Sequence, residues 1–206
     1  GKRIKFQNFG NSSYKSREMG EALRVLEKAL LIHLVYPQTS PVLPLLPDVS
    51  KSPRLHVLDT GMLNYFVGLQ QEILGTTDLN NVYQGTVIEH IVGQELLARQ
   101  YSALHGLAFW VREKTTSTAE VDYLFRYKEK LVPIEVKSGS TGTLRSLAMF
   151  MDMAPHNIAV RFYAGEILIS TITTPGAKTV HLLNLPYYLV SQIEKYLEWL
   201  ETQIAK

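Results

Sequence analysis

Three charged residues lie in two neighbouring apolar stretches of the chain. Asp122 belongs to the stretch Ala119–Tyr123, and Glu135 and Lys137 belong to the stretch Leu131–Gly139. Both stretches alternate with a period of two, which predicts two strands joined by a short turn. In such a hairpin Asp122 stands opposite Glu135, and Lys137 lies on the same face as Glu135. The sequence therefore predicts a carboxylate pair with an ammonium group beside it.

This arrangement favours metal-assisted phosphodiester chemistry. Two converging carboxylates repel each other unless a cation lies between them, and their hard oxygen atoms suit Mg²⁺ or Mn²⁺. We therefore predict that Asp122, Glu135 and the carbonyl of Val136 bind the metal. Lys137 would orient the attacking water or stabilise negative charge on a phosphate. Asp followed by Glu-x-Lys is the core of the PD-(D/E)XK nuclease pattern, and a solvated hairpin rim is the alternative interpretation.

A helix predicted over 83–101 precedes the hairpin and carries a fourth candidate residue. Glu89 lies near its start, where a nuclease of this type has its first-helix acid. Glu95 follows six positions later, about 600° around the helix, and so faces another direction. We choose Glu89 as the catalytic acid over Glu95. Its alternative role is to complement the dipole at the helix N-terminus.

The elements that position these residues follow an α/β order. A two-residue turn is expected at Lys128–Glu129. After the hairpin, the pattern predicts a helix at Thr143–Met153, strands at Ile158–Tyr163 and Thr179–Leu183, and a last helix at Tyr188–Ile204. This order is typical of nuclease-like cores, in which the site lies at the ends of central strands.

The first 28 residues differ in charge from the rest of the chain. They carry a net charge of +4, whereas the whole chain carries only +2. We predict a helix capped by Ser16, followed by strands at Leu31–Tyr36 and Leu55–Leu58 around a proline-rich loop, the outline of a helix and a wing. The basic side chains either contact DNA phosphates or solvate the outer face of a packing helix. The candidates are Lys15, Arg17, Arg24 and Lys28, and the expected apolar face is Ala22, Val25, Leu26, Ala29 and Leu30.

Several blocks together resemble the uncharacterised C-terminal domain that follows the ATPase domain in prokaryotic AAA+ family proteins. Their order and spacing are more specific than the acid pattern alone. The blocks are Lys51–Gly68, Gly85–Leu96, Phe109–Arg112, the Glu120–Asp122 strand and the Ile134–Lys137 strand.

The resemblance implies a fold and a context. It implies a partial winged-helix-like segment at 1–70 and a restriction-endonuclease-like, PD-(D/E)XK core at 71–206. It also implies that the chain is the back half of a longer ATPase, whose N-terminal ATPase domain is its partner and holds the ATP. The chain has no Gly-x-x-x-x-Gly-Lys-[Ser/Thr] run, so we expect no ATP hydrolysis from it.

The composition of the chain argues against several kinds of site and against a membrane segment. The chain has no cysteine and no His-x-x-x-His pair, which argues against thiolate zinc sites and disulfides. It has no long apolar run, so we expect a soluble cytoplasmic protein without membrane contact. The last helix either packs on the core or forms a homo-oligomer. The glycine-rich stretch Ser138–Thr143 is interpreted as a turn.

Two functions remain open at this point. The first is a magnesium- or manganese-dependent nuclease that cleaves DNA or RNA. The second is a catalytically silent module that binds DNA or a protein for the ATPase domain, because a fold does not fix a function.

Overall fold

The protein is described by a computed structural model. Within the described ranges the strands form three separate sheets, and the fold is mixed α/β. Parts of the predicted helix 83–101 and of the predicted turn 138–143 lie outside those ranges. So does residue 70, at the predicted domain boundary, and this boundary stays a prediction. The described residues are 2–69, 71, 85–99, 106–114, 117–139 and 143–205.

The N-terminal region contains a helix and a two-stranded ribbon. Ile32 pairs with Val57 and Val35 with Arg54 in antiparallel register. The predicted strands are therefore confirmed. In chain order the elements are a 3-10 turn at Phe9–Asn11, helix α1 (Ser16–Lys28), strands β1 (Ile32–Val35), β2 (Pro37–Gln38) and β3 (Arg54–Val57), and helix α2 (Thr60–Phe66).

Helix α1 packs through a different face from the predicted one. Leu23 is buried, whereas Val25 is 63% exposed and Leu30 is 75% exposed. Leu30 adopts a left-handed conformation with φ 57° and ends the helix, so the ribbon folds back onto the side of the helix that carries Leu23. Ser16 is the first helical residue and not the cap. The N-cap is Lys15, whose main-chain N–H donates to Glu18 at 2.9 Å.

The proline-rich loop is tied to the rest of the protein. Strand β2 within it pairs in parallel with the strand that begins at Phe109. In addition, the indole N–H of Trp110 donates to the carbonyl of Thr39 at 3.0 Å. The loop predicted as a wing therefore continues a sheet of the C-terminal region.

The predicted hairpin is present, with one correction. Strand β6 (Tyr123–Tyr127) pairs antiparallel with β7 (Lys130–Val136), and the two-residue turn at Lys128–Glu129 is confirmed. The stretch Ala119–Tyr123, however, is not one strand. Strand β5 (Ser117–Val121) pairs instead with β4 (Phe109–Lys114), and the chain bends at Asp122 to pass from one sheet to the other.

A five-stranded sheet lies behind the hairpin. Its order is β6-β7-β8-β10-β9, in which β7, β8 and β10 are parallel and the two edge strands are antiparallel. The strand at Leu168–Thr173 was missed by the sequence pattern. The remaining elements are helix α3 (Thr86–Ala98), helix α4 (Arg145–Met153), and strands β8 (Ile158–Tyr163), β9 (Leu168–Thr173) and β10 (Thr179–Pro186).

Helices cover this sheet on both faces. One core contains Val92 of α3 and Leu197 of the last helix, and the other contains Phe150 of α4. Trp110 is fully buried against Phe150 and belongs to the core. The burial of apolar surface on both faces fixes the strands and hence the position of their ends.

The predicted last helix begins as a 3-10 segment. This segment spans Tyr187–Gln192, and helix α5 follows at Ile193–Ile204. Ile193 and Leu200 are fully buried, so α5 packs on the core. Among the described residues, no helix combines the length and the hydropathy needed to cross a bilayer.

Candidate functional site

Asp122 lies at the bend between β5 and β6. The pair Tyr123–Ile134 is the last pair of the hairpin ladder, so the next position in register sets Asp122 opposite Glu135. One oxygen of Asp122, Oδ2, accepts a hydrogen bond from the main-chain N–H of Val136 at 2.8 Å. This bond replaces a ladder bond and directs the carboxylate toward the end of β7.

Glu135 and Lys137 face the same side of β7, as predicted. The ammonium nitrogen of Lys137 lies 2.6 Å from Oε1 of Glu135. The other oxygen, Oε2, is buried and has no hydrogen-bond partner in the described part of the chain. Since a buried acceptor without a partner costs free energy, this atom is a position where a cation would be favoured.

Both carboxyl groups of this pair have raised pKa values. Burial raises the pKa of Glu135 to about 7, and the negative charge of Asp122 adds to the increase. Burial also raises the pKa of Asp122, with a further contribution from Glu89. Lys137 acts in the opposite direction on Glu135, but it does not cancel the effect of burial. The three acids therefore lie close enough to repel one another.

Arg54 at the start of β3 joins this cluster, although no sequence motif pointed to it. Its guanidinium donates to Oε1 of Glu89 at 3.0 Å, to Glu120 from Nε at 2.8 Å and to the carbonyl of Asp122 at 2.8 Å. Oδ1 of Asp122 lies 3.8 Å from Nη2 of Arg54. The guanidinium also stacks over the ring of Phe109, 4.3 Å from its centroid.

Arg54 remains charged in this environment. Burial acts to lower its pKa, but the charges of Glu89, Glu120 and Asp122 outweigh it and the pKa lies above its ordinary value. The signal in the sequence was an arginine at the head of the apolar strand Arg54–Val57. The partners of Arg54 lie 35 to 68 positions further along the chain, and a local sequence pattern does not reveal contacts over such separations.

The structure places the two candidate helix acids differently. Glu89 lies in the first turn of α3 and reaches Arg54, so it belongs to the cluster while also complementing the helix N-terminus. Glu95 is exposed. The hydroxyl of Tyr123 donates to the carbonyl of Glu89 at 2.8 Å and fixes the helix start against β6.

The predicted nucleic-acid residues lie on a separate element. All four are exposed side chains on or next to α1, and Arg17 forms an exposed ion pair with Glu21 at 3.0 Å. The structure does not include them in the carboxylate cluster. They are Lys15, Arg17, Arg24 and Lys28.

An apolar cavity of about 180 Å³ borders the cluster on one side. Arg54, Glu89 and the stacked rings of His56 and His90 line part of it. Burial lowers the pKa of His56 to about 4 and that of His90 to about 3, so both imidazoles are neutral at pH 7. The lining does not include Asp122 or Glu135, so the carboxylate pair lies outside this cavity.

The donor set is compatible with a weakly held divalent cation. Within the described ranges, no group of three or more His, Asp or Glu side chains is arranged to hold a metal ion. Asp122 and Glu135 provide two carboxylates, and Glu89 is engaged by Arg54. Two carboxylates with an unpartnered oxygen fit Mg²⁺ or Mn²⁺, since Mg²⁺ commonly keeps several water ligands.

The fold and the site together define a mixed α/β protein with a buried carboxylate and lysine cluster at the end of a strand pair. The chain belongs to the DUF4143 family, a domain of unknown function whose model matches residues 84–188. That domain is found in the C-terminal region of AAA-ATPase-associated proteins. A second domain of unknown function, DUF8612, matches residues 1–73. No curated protein and no solved structure matches the chain.

Proposed function

We propose that this chain carries a PD-(D/E)XK nuclease-like site that hydrolyses phosphodiester bonds with Mg²⁺ or Mn²⁺. The observation that carries the proposal is the position of Asp122 opposite Glu135, with Lys137 2.6 Å from Oε1 of Glu135 and with Oε2 of Glu135 buried and unpartnered. Asp122 and Glu135 would hold the metal, together with the carbonyl of Val136.

The order of the elements supports a restriction-endonuclease-like core. Helix α3 precedes the β6–β7 hairpin, α4 connects β7 to the parallel strand β8, and helices cover both faces of the sheet. The proposed ligands lie at the C-terminal end of β7, which is an inner strand of the sheet. In open α/β sheets, ligand sites lie at strand ends of this kind.

The side chains of the site have distinct roles in this proposal. A bound divalent ion would supply Lewis acidity and lower the pKa of a bound water. Lys137 would place its ammonium beside the phosphate, where it stabilises charge that develops in the transition state. The N–H of Val136, which donates to Oδ2 of Asp122, would orient this carboxylate for the metal. Glu89 would act through Arg54 and the electrostatics of the cluster.

A cleavage assay tests the proposal. The purified chain with Mn²⁺ is offered linear, circular, branched and single-stranded DNA, and RNA. We expect Lys137→Met to lower cleavage by about a hundredfold or more while metal binding persists, the scale for losing one preorganised electrostatic group. Asp122→Asn should abolish cleavage through lost metal, so that extra Mn²⁺ partly restores it.

The chain offers a matched control on the same strand. Lys130 lies at the other end of β7 and pairs with Glu201 at 2.6 Å. Lys130→Met should therefore leave cleavage unchanged. Absence of cleavage by the wild type on every substrate would remove the enzyme proposal for the isolated chain.

A second candidate function is a catalytically silent module that binds DNA or a protein. It is favoured by Arg54, whose guanidinium already pairs with Glu89, Glu120 and Asp122. In this case the N-terminal ATPase domain of a longer protein would act on nucleic acid, and this chain would help to hold the nucleic acid.

Binding measurements test the module. Contacts from α1 to phosphates predict affinity that falls with salt and ignores base sequence. Replacing Lys15, Arg17, Arg24 and Lys28 with glutamine should remove most of the binding. Replacing Arg126 and Lys195, which are exposed on other elements, should change it little. Equal losses in the two variants would place the nucleic-acid surface elsewhere.

A further inference from the structure

Arg54 comes from a different part of the chain from the acids that surround it. It lies within the segment matched by DUF8612, whereas Glu89, Glu120 and Asp122 all lie within the segment matched by DUF4143. Its side chain is 8% exposed, and its guanidinium makes hydrogen bonds to Glu89, to Glu120 and to the carbonyl of Asp122. Arg54 is therefore a cation from one matched segment that lies among acids of the other.

The position of the guanidinium matters for the proposed metal site. Oδ2 of Asp122 is occupied by the N–H of Val136, so Oδ1 is the oxygen that remains for a metal. This Oδ1 lies 3.8 Å from Nη2 of Arg54, which is near enough for attraction and too long for a hydrogen bond. The acid that the metal would need is therefore already under the influence of a buried positive charge.

The charge balance shows what Arg54 provides. Glu120 has a second cation nearby, because Nε of Arg3 lies 3.2 Å from its Oε2. Glu135 has Lys137. Arg54 forms ion pairs with Glu89 at 3.0 Å and with Asp122 at 3.8 Å. Without the guanidinium these acids would repel one another more strongly, and the cluster would favour another cation.

Resting on the proposed metal site, we propose that Arg54 is a built-in cation that competes with the divalent metal for the Asp122 carboxylate. With Arg54 in place the site binds the metal weakly. A positive charge near the metal position lowers metal affinity by direct repulsion, and the retained hydrogen bonds oppose rearrangement of the acids.

The surroundings of Arg54 fix its position. Strand β3 is held by its ladder with β1, and the main-chain N–H of Ile4 donates to the carbonyl of Pro53 at 2.8 Å. On the other side, Nε2 of His56 lies 3.0 Å from the side-chain oxygen of Gln94 in α3. The loop between β1 and β3 is also tied to β4 through β2, so the guanidinium is held among the acids from several sides.

Metal affinity, measured by calorimetry with Mn²⁺ alone, tests the proposal. We expect Arg54→Gln to bind Mn²⁺ about tenfold or more tightly than the wild type. Mn²⁺ should also raise the melting temperature of Arg54→Gln more than that of the wild type, since a ligand of the folded state stabilises it. Adding Asp122→Asn to Arg54→Gln should remove the gain.

The control is the neighbouring arginine. Arg3→Gln removes a cation that contacts Glu113 and Glu120, and we expect it to leave Mn²⁺ affinity within about twofold of the wild type. An equal gain in Arg3→Gln and Arg54→Gln would overturn the proposal, because the effect would then be a general loss of positive charge.

The outcomes separate this proposal from the nuclease proposal. If wild type and Arg54→Gln bind Mn²⁺ with equal affinity through Asp122, competition by Arg54 is wrong and the metal site stands. If neither binds Mn²⁺, both proposals fail. If Arg54→Gln does not fold, Arg54→Gln combined with Glu120→Gln decides, because this double variant removes the cation together with an acid that it pairs with. Mn²⁺ affinity of the double variant equal to that of the wild type would then overturn the competition.

Discussion

The β6–β7 hairpin has a charged cluster at each end, and the two clusters are opposite in character. At the turn end, Glu201 of α5 accepts hydrogen bonds from Tyr127 at 3.0 Å, from Lys128 at 2.5 Å and from Lys130 at 2.6 Å. At the open end, Glu135 is buried and Asp122 is half-buried beside other acids. The first cluster has one acid between two lysines, and the second has more acids than nearby cations.

The pKa values follow this difference in charge balance. Hydrogen bonds from Lys128 and Lys130 lower the pKa of Glu201 to about 2, whereas burial raises that of Glu135 to about 7. A carboxylate with a lowered pKa stabilises the fold at neutral pH, and one with a raised pKa destabilises it. Charged groups that destabilise the fold are typical of functional sites, so the open end of the hairpin is the better candidate for a functional site.

The largest effect is expected from removing the cation of the open end. Without added metal, Arg54→Gln should lower the free energy of unfolding by about 3–5 kcal/mol, the cost of leaving buried charges without their partner. Chemical denaturation in the presence of a chelator measures it. Arg3→Gln is the matched control and should cost about 1 kcal/mol or less. If both substitutions lower the free energy of unfolding by about 1 kcal/mol or less, losing a cation at the open end costs no more than losing one at an ordinary surface site.

A smaller effect of opposite sign is expected at Glu135. Because its folded pKa of about 7 exceeds the ordinary value of 4.5, the folded state binds the extra proton and stability falls as pH rises from 4.5 through 7. Glu135→Gln mimics the protonated group. It should therefore be about 1 kcal/mol or more stable than the wild type at pH 8 and about equal to it at pH 5.

Thermal unfolding of both proteins at the two pH values measures this difference. The comparison between variant and wild type isolates Glu135, because the other titrating groups are present in both. A stabilisation of the same size at pH 5 and pH 8 would show that the charge of Glu135 is not its source.

The smallest effect is expected at the turn end. Glu201→Gln should cost about 1 kcal/mol or less, because its partners are partly exposed, and added salt should reduce the cost. The lowered pKa of Glu201 contributes stability that is present above pH 4.5 and is lost as pH falls toward 2. Denaturation at low and high salt checks this. A cost that exceeds that of Arg54→Gln would reverse the comparison between the two ends.

The hairpin was accessible from the sequence because its information is local. Period-two alternation and a polar turn fixed the register of β6 and β7, and that register places Asp122 opposite Glu135. The same local reasoning predicted that Lys137 shares a face with Glu135. It failed for β9 (Leu168–Thr173), in which no residue is buried and the pattern is therefore weak.

The face of α1 shows the limit of periodicity. The apolar stripe that contains Val25 and Leu30 exists in the sequence, but the chain turns at Leu30 so that β1 covers Leu23 instead. Periodicity identifies a face that could be buried. Which face is buried depends on where the next element packs.

The sequence by itself determined the α/β class, the hairpin and the placement of an acid, a second acid and a lysine near one point, because strand geometry links residues that are close in the chain. Only the tertiary structure decided that Arg54 occupies the centre of this cluster and pairs with Glu89. Contacts between residues 35 to 68 positions apart arise from the packing of β3 against α3 and the bend at Asp122. No local pattern encodes that packing, since it depends on how whole elements bury their apolar faces together.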